Sequence, residues 1–383
     1  GLWCTPALAA PDAVADALAA ALQAPVVNCG AARLDRQRLA PYYAAAETAP
    51  LWVSARAQRL RTTLQNAGQE GLSPARYRIA DIEAYWSATT PAEQACLELL
   101  LTAGFDRYSR DVRRGLTGPH EADPSWQLRP APFDPVAALQ AAGTDSDLAR
   151  LLETLPPVHS AYARLRTALA RYRRLAKQGG WPPLPPGPKL APGDEHEQVA
   201  LLRARLRTEG DLPRFALSFG ARYDAPLAAA VENFQRRHGL HADGIVGTRT
   251  RAALNVPAAE RAAQLRRAME RLRWLPRDFG SHYILVNTAG FELAVVEDGK
   301  TLLRMRTING TPDQATPSFT ATLQSLIINP YWYVPERIAR DRLWPRAQAN
   351  SGYLPARGFR VFDTRNGDWQ ELDPARLDWA RIN

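Results

Sequence analysis

The stretch from Tyr283 to Pro335 constrains the fold most, because short apolar runs follow one another there with turn residues between them. The first run is almost continuously apolar, which suits a strand buried on both faces. Asp298-Gly299 follows the second run and suits a tight hairpin, in which both central residues take positive φ. The pattern predicts the start of an antiparallel β domain. The predicted strands cover residues 283–288, 291–297, 301–308 and 322–328.

Length and composition predict a multidomain globular protein. The chain has 383 residues, of which 46% are hydrophobic and 23% charged, so cores can form and wholesale disorder is not expected. No apolar run reaches the ~18 residues of a membrane span, and none is predicted. No signal peptide is visible and the first residue is Gly1, which fits either a mature or an engineered form.

The net charge of +9 does not indicate a nucleic-acid partner. Basic residues are scattered among alanine and leucine, as in residues 164–174, and no dense basic tract or aromatic RNA-binding signature occurs. We therefore interpret the arginines as a solvated surface and expect no nucleic-acid binding.

The N-terminal half has a helical pattern. Val158, Tyr162, Leu165, Leu169 and Tyr172 recur at helical spacing, and core packing explains that stripe without a cofactor, so no cofactor is predicted. The proline-rich segment 181–192 then predicts a stiff connection.

A compact three-helix module is predicted next. Asp194 with Glu197 has the pattern of a capping box, Asp224 can cap a second helix, and Asp243-Gly244 predicts a turn. A metal site around the histidines of this region is not predicted, because Ala200 stands where a zinc-protease helix would carry its second histidine.

The β-domain residues resemble the catalytic domain of the L,D-transpeptidases, the cysteine enzymes that cross-link peptidoglycan. The resemblance rests on Ile308-Asn-Gly310, Thr316-Pro-Ser-Phe319 and Asn329-Pro-Tyr-Trp-Tyr-Val-Pro335, and it points to the large periplasmic members. It implies a Ser-His-Gly-Cys-type motif late in the domain. No cysteine follows Cys96, so we expect only the first part of the domain here and assign no catalytic residue.

The middle module resembles the peptidoglycan-binding module of wall enzymes, in Ala230-Val-Glu-Asn-Phe-Gln235, His238-Gly-Leu240 and Asp243-Gly-Ile-Val-Gly247. The resemblances imply a multidomain α+β protein of the periplasm or cell envelope, with peptidoglycan stem peptides and glycan as partners. Carbapenems would inhibit the complete enzyme. The expected domains are a helical scaffold (1–192), the peptidoglycan-binding module (193–257), a connecting helix packing on the scaffold (258–280) and a partial β-sandwich-like catalytic domain (281–383) with an aromatic lid at about 336–383.

Candidate substrate-contacting residues are the polar residues of the module and the aromatic residues of the β domain. The candidates are Gln235, Arg236, Arg249, Tyr331, Trp332, Tyr333 and Trp344. Most of the loop aromatics have an alternative role as anchors within their own domain.

The cysteines leave two possibilities open. Cys4 and Cys29 could form a disulfide in an oxidising compartment, or both could be free thiols. Cys96 lies in a helical pattern and is predicted to be a small buried hydrophobe.

The resemblances imply two possible functions. The first is a peptidoglycan L,D-transpeptidase that transfers an acyl group between stem peptides through a cysteine acyl-enzyme. The second is a non-catalytic peptidoglycan-binding or scaffold protein of the envelope. A third reading, a hydrolase, would need paired carboxylates, for which Glu292, Glu297 and Glu336 are the candidates.

Overall fold

The computed structural model describes residues 10–44, 49–213, 215–216, 219–363 and 369–379. The chain divides into two compact units, residues 1–320 and 321–383. The predicted α+β class is confirmed: helices dominate the first 273 residues, and small antiparallel sheets follow.

A helical region built around one long helix begins the first unit. Helix α5 begins with a capping box, in which the Glu93 N–H donates to the Thr90 hydroxyl and the Glu93 carboxylate accepts from the Thr90 N–H. Its side chains Leu99, Phe105 and Val112 are fully buried. The helices are α1 (Pro11–Ala21), α2 (Arg36–Ala44), α3 (Ser54–Gln65), α4 (Ile79–Ala84), α5 (Pro91–Arg114), α6 (Pro119–Ala122), α7 (Pro135–Ala141), α8 (Asp145–Thr154) and α9 (Ser160–Lys177).

A β-hairpin interrupts this helical region, where the sequence pattern predicts helix. Strands β1 (Val26–Cys29) and β2 (Ala32–Asp35) pair antiparallel around Gly30, whose φ is +58°. Val27 and Leu34 bury their side chains against the helical core. The run is too short to reveal strand periodicity, so tertiary burial selects the strand conformation.

The disulfide prediction is wrong in its partner. Cys29 at the end of β1 bonds Cys96 on α5, with 5.5 Å between the Cα atoms. Cys29 therefore does not bond Cys4, and Cys4 itself lies outside the described residues. Cys96 is half-buried and bonded rather than a plain buried hydrophobe. The 67-residue separation brings the two cysteines together only when the hairpin packs on α5.

The middle module has three helices, α10 (Gln198–Glu209), α11 (Ala225–Arg237) and α12 (Thr248–Leu254). Asp224 caps α11 by accepting from the Leu227 N–H at 3.0 Å, as predicted. The capping box at Asp194 is wrong, because α10 begins at Gln198 and the Asp194 carboxylate accepts from the Ala191 N–H instead. The turn at Asp243-Gly244 is present, with Gly244 at φ +68°.

Helix α13 (Ala258–Arg273) packs on α9. Tyr162, Leu169 and Met269 share a buried cluster there. The buried Arg273 guanidinium donates to the Tyr162 hydroxyl at 2.9 Å and to the carbonyl of Glu70. These contacts join α13 to the helical region that precedes the middle module.

A three-stranded antiparallel sheet follows, in the order β3 (His282–Asn287), β4 (Glu292–Glu297) and β5 (Lys300–Arg306). Asp298 and Gly299 have φ of +46° and +75°, as the predicted β4–β5 hairpin requires. Among the described residues β3 and β5 are unpaired at their outer edges. Of the residues in β3, β4 and β5, only Val296 is buried.

The second unit, residues 321–383, has its own small cluster around Ala347, Leu354 and Trp379. Its elements are α14 (Glu336–Ile338), a π-helical turn (Ala339–Leu343), α15 (Trp344–Ala349), β6 (Val361–Asp363) and β7 (Gln370–Leu372). The predicted fourth strand at 322–328 is wrong: these residues have no ladder partner in the part of the chain that the structure describes, and a strand requires one to satisfy its backbone groups. The domain boundaries given above stay predictions.

Candidate functional site

The aromatic triplet Tyr331, Trp332 and Tyr333 is largely solvent-exposed, at 72%, 63% and 68% of each side chain's maximum. Trp332 lies 6.3 Å from the Phe359 ring, and Tyr333 meets the Trp369 ring edge-on at 5.6 Å. Aromatic rings exposed at this level can stack on a ligand. The structure therefore leaves all three residues available to a ligand, and their contact with substrate stays a prediction.

Trp344 anchors its own unit, which is the alternative role considered for the loop aromatics. Its half-buried ring packs against the cluster of Ala347, Leu354 and Trp379 within the second unit. Trp379 in turn donates its indole N–H to the Pro374 carbonyl at 2.9 Å. Trp344 thus stabilises its own unit, and little of its ring remains for a ligand.

Gln235 is buried, with 1% of its surface exposed. Its amide nitrogen donates to the Asp243 carboxylate and the Ile245 carbonyl, at 2.8 and 2.9 Å, and its amide oxygen accepts from the Gly244 N–H at 2.9 Å. The side chain holds the Asp243-Gly244 turn against α11. It has no surface with which to contact a glycan, and the sequence carried no signal that separates it from its exposed neighbour Arg236.

Arg236 and Arg249 are the exposed candidates of the module. Arg236 donates to Asn233 at 2.6 Å and lies 3.6 Å from the Glu232 carboxylate. Arg249 lies in the first turn of α12, and no contact of its guanidinium is seen within the described residues. Both can reach an external partner, and both assignments stay predictions.

A buried charge network inside the module was not found from the sequence. The Glu209 carboxylate lies 2.6 Å from Arg205 and 3.4 Å from Arg237. Burial alone would raise its pKa, but these guanidinium groups and the Tyr172 hydroxyl hold the pKa below its usual range. The i, i+4 spacing of Arg205 and Glu209 is the only sequence signal, and such pairs are common on exposed helix faces.

His238 adjoins this network and remains neutral near pH 7. Burial lowers its pKa to about 4, and the guanidinium groups of Arg261 and Arg237 act in the same direction. Its ring lies 4.1 Å from that of Phe234. These contacts explain His238 as a packing residue of the module.

The chain offers no thiol for nucleophilic catalysis in its β region. Its three cysteines are residues 4, 29 and 96, of which the last two are bonded to each other. His282 lies beside the Glu297 carboxylate at 2.6 Å and the Ser281 hydroxyl at 2.8 Å. A carboxylate so placed orients an imidazole, as in catalytic triads, but the sequence holds no cysteine in this region to serve as the thiol nucleophile.

Each carboxylate considered for a hydrolase lies beside a basic side chain. Glu292 lies 2.6 Å from Arg304, Glu297 pairs with His282, and Glu336 lies 3.4 Å from Arg340. No group of three or more metal-ligating side chains comes together in the described ranges. Nothing in this arrangement sets two carboxylates on either side of a substrate bond.

Over the described ranges, every helix is either too short or too polar to cross a lipid bilayer.

Comparison with known families gives three successive matches. A scaffold domain model matches residues 37–169, a model described as "Putative peptidoglycan binding domain" matches residues 195–254, and an L,D-transpeptidase catalytic domain model matches residues 281–380. A Haemophilus influenzae protein named "Putative L,D-transpeptidase" is 32% identical over 114 residues. That match covers 30% of this chain and 22% of the relative, so the chain spans about a fifth of the length of the curated relative it matches.

Proposed function

The chain belongs to the L,D-transpeptidase family, and on that premise we propose that it serves peptidoglycan cross-linking by acyl transfer between stem peptides. One observation carries the proposal: scaffold, peptidoglycan-binding and transpeptidase domain matches follow one another along a single chain. A wall-binding module joined to an acyl-transfer domain has a simple physical use. It holds the catalytic domain at an effective concentration set by the linkage rather than by diffusion.

The proposed reaction begins when a cysteine thiolate attacks the carbonyl carbon of a stem-peptide amide. The amine of that amide leaves with a proton, and an acyl-enzyme thioester remains. An amine from a second stem then attacks the thioester, which restores the thiol. The reaction requires a base near the thiol and N–H donors for the oxyanion. The 281–380 match contains no cysteine, so a complete active site needs a thiol from polypeptide beyond these residues.

Mass spectrometry of the protein isolated from its own cells tests the enzymatic proposal. We expect treatment with a carbapenem to add the mass of the β-lactam to a cysteine peptide that contains neither Cys29 nor Cys96. Ampicillin treatment and prior alkylation of free thiols are the controls. If the isolated protein carries no adduct after carbapenem treatment, the transpeptidase proposal is refuted.

A second candidate is a non-catalytic wall-binding protein, and the missing thiol in the 281–380 match favours it. Both candidates bind peptidoglycan through the middle module, so retention on cell-wall sacculi tests that shared property. We expect the Arg236→Gln, Arg249→Gln double variant to lose most of its retention. Arg59→Gln is the matched control, because Arg59 is also exposed but lies on α3, in the helical region. Equal retention of the double variant and the control would overturn the role of the module arginines.

Both candidates place the protein in the periplasm or cell envelope. The Cys29–Cys96 disulfide supports this placement, since structural disulfides persist in oxidising compartments and are rare in the cytosol. Export is tested by fractionation of the source cells, in which a cytosolic protein would retain reduced cysteines and remain with the spheroplasts.

A further inference from the structure

A cavity of about 230 Å³ lies in the helical region, between β2, α2, the turn before α4 and α5. Its inner wall is apolar: Leu34, Leu39 and Tyr77 are all at least 96% buried. Five arginines and two aspartates complete the lining, namely Arg33, Arg38, Arg76, Arg78, Arg107, Asp35 and Asp106. None of the domain assignments above accounts for this excess of positive charge.

Three of the five guanidinium groups lie within ion-pair distance of a carboxylate. Arg38 lies 3.8 Å from Asp106, Arg76 lies 3.2 Å from Asp111, and Arg78 lies 3.3 Å from Asp81.

Two of these three carboxylates, Asp106 and Asp111, are buried and have further partners, whereas the Asp81 side chain is 32% exposed. Asp106 is 3% exposed and also accepts from the Tyr42 hydroxyl at 2.9 Å and from Arg110 at 3.0 Å. Asp111 also accepts from the Tyr77 hydroxyl at 3.0 Å. The cavity lining itself contains five arginines and only two aspartates, Asp35 and Asp106, so positive side chains predominate.

The other two arginines, Arg33 and Arg107, are exposed at the rim. Neither guanidinium makes a hydrogen bond or ion pair with any residue that the structure describes. The backbone carbonyl of Arg33 accepts from the Arg78 side chain at 3.0 Å, so the rim and the turn are tied together. Two guanidinium groups without a partner among the described residues thus lie beside three that have carboxylate partners.

The backbone at Arg78 is in the left-handed region, with φ of +55°. This conformation is uncommon for a residue other than glycine and costs of order 1 kcal/mol or more. The Arg78 bonds to Asp81 and to the Arg33 carbonyl hold it there. Strain retained at a cavity edge is typical of residues that position a ligand.

We propose that this cavity binds a small ligand, or the end of a larger one, through a carboxylate or phosphate group. Guanidinium groups present paired N–H donors that match the oxygens of both anions. The cavity is smaller than the ~300–1,000 Å³ of pockets for drug-sized molecules, so it suits one anionic group with a short apolar body against Leu34 and Leu39. The proposal concerns the helical region and does not depend on transpeptidation.

Isothermal titration calorimetry of the whole chain at low ionic strength tests the proposal with two probes. Inorganic phosphate represents the phosphate source, and the free stem tripeptide of peptidoglycan represents the carboxylate source. We expect at least one probe to bind saturably with a one-to-one stoichiometry, and its affinity to fall as salt rises, because exposed charges are screened. The probe that binds more tightly identifies the source of the ligand.

Variants at the rim separate this site from general surface charge. We expect Arg33→Gln and Arg107→Gln each to weaken binding about tenfold or more, as the loss of a charge-assisted hydrogen bond predicts. The affinity of Arg107→Lys should lie between those of the parent and of Arg107→Gln, because lysine keeps the charge but not the paired donors. Both positions are exposed and unpaired within the described residues, so the fold should persist, and circular dichroism checks it. Arg59→Gln should bind like the parent. The proposal fails if neither probe binds with a Kd below about 10 mM. It also fails if the rim variants bind as tightly as Arg59→Gln.

Discussion

Glu98 on α5 makes the stability of the helical region depend on pH. Its carboxylate is 5% exposed and accepts from the N–H groups of Leu51 and Trp52, at 2.5 and 3.2 Å, and from the Tyr43 hydroxyl at 3.3 Å. Burial raises its pKa to about 7, although these hydrogen bonds act in the opposite direction. The folded protein therefore keeps a proton on Glu98 at pH values where the unfolded chain has lost it.

The sign and size of the effect follow from proton linkage. Between the ordinary pKa of 4.5 and the folded value of about 7, the folded state binds more protons, so stability falls as pH rises. Below this window the two states bind equally, and above it the loss is complete. At 1.36 kcal/mol per pKa unit the total loss is about 3 kcal/mol.

The matched variants are Glu98→Gln and Glu93→Gln. Glu93 lies on the same helix, is exposed, and keeps its capping interaction as glutamine. Urea unfolding at pH 5 and pH 8, followed by hydrogen exchange of the α5 peptides, reports the free energy of this region. We expect the parent and Glu93→Gln to lose about 2.5 kcal/mol relative to Glu98→Gln between pH 5 and pH 8, because part of the total loss already occurs below pH 5. If the parent and Glu98→Gln show the same dependence on pH, the assignment of a proton to buried Glu98 is refuted.

Three further predictions concern cross-links and buried polar groups. Replacing Cys96 by alanine opens a 67-residue loop and should lower the free energy of unfolding by about 4 kcal/mol in the chain-entropy model. Urea unfolding measures this loss. An equal effect of dithiothreitol on the parent and on the variant would contradict the prediction. Because the pKa of His238 is depressed, the module should lose about 2 kcal/mol of stability as pH falls from 6.5 towards 4, after allowance for partial exposure. Thermal scans should show that His238→Gln abolishes this loss. An unchanged dependence on acid pH in the variant would count against the prediction. Replacing Gln235 by alanine leaves the Gly244 N–H without its partner and should destabilise the module by about 2–3 kcal/mol, whereas exposed Arg236→Ala should change stability by less than 0.5 kcal/mol.

Local patterns predicted the features that depend on neighbouring residues alone. The stripe from Tyr162 to Tyr172 forms α9, Asp224 caps α11, and Asp298-Gly299 turns the β4–β5 hairpin. Each depends on helical spacing, on a capping oxygen or on positive φ, which a few adjacent residues determine. The domain resemblances also rest on such local patterns, and the family matches agree with them.

The tertiary structure decided whatever depends on contacts between distant segments. Cys29 meets Cys96 rather than Cys4 only because the hairpin packs on α5, and no local rule reports that 5.5 Å approach. Gln235 and Arg236 are adjacent polar residues on one helix, but Gln235 is buried and stabilises the Asp243-Gly244 turn, whereas Arg236 is exposed. Residues 322–328 have the composition of a strand, but a strand also needs a partner for its backbone hydrogen bonds. Composition supplies the preference for each conformation, and packing across the chain determines which preference is satisfied.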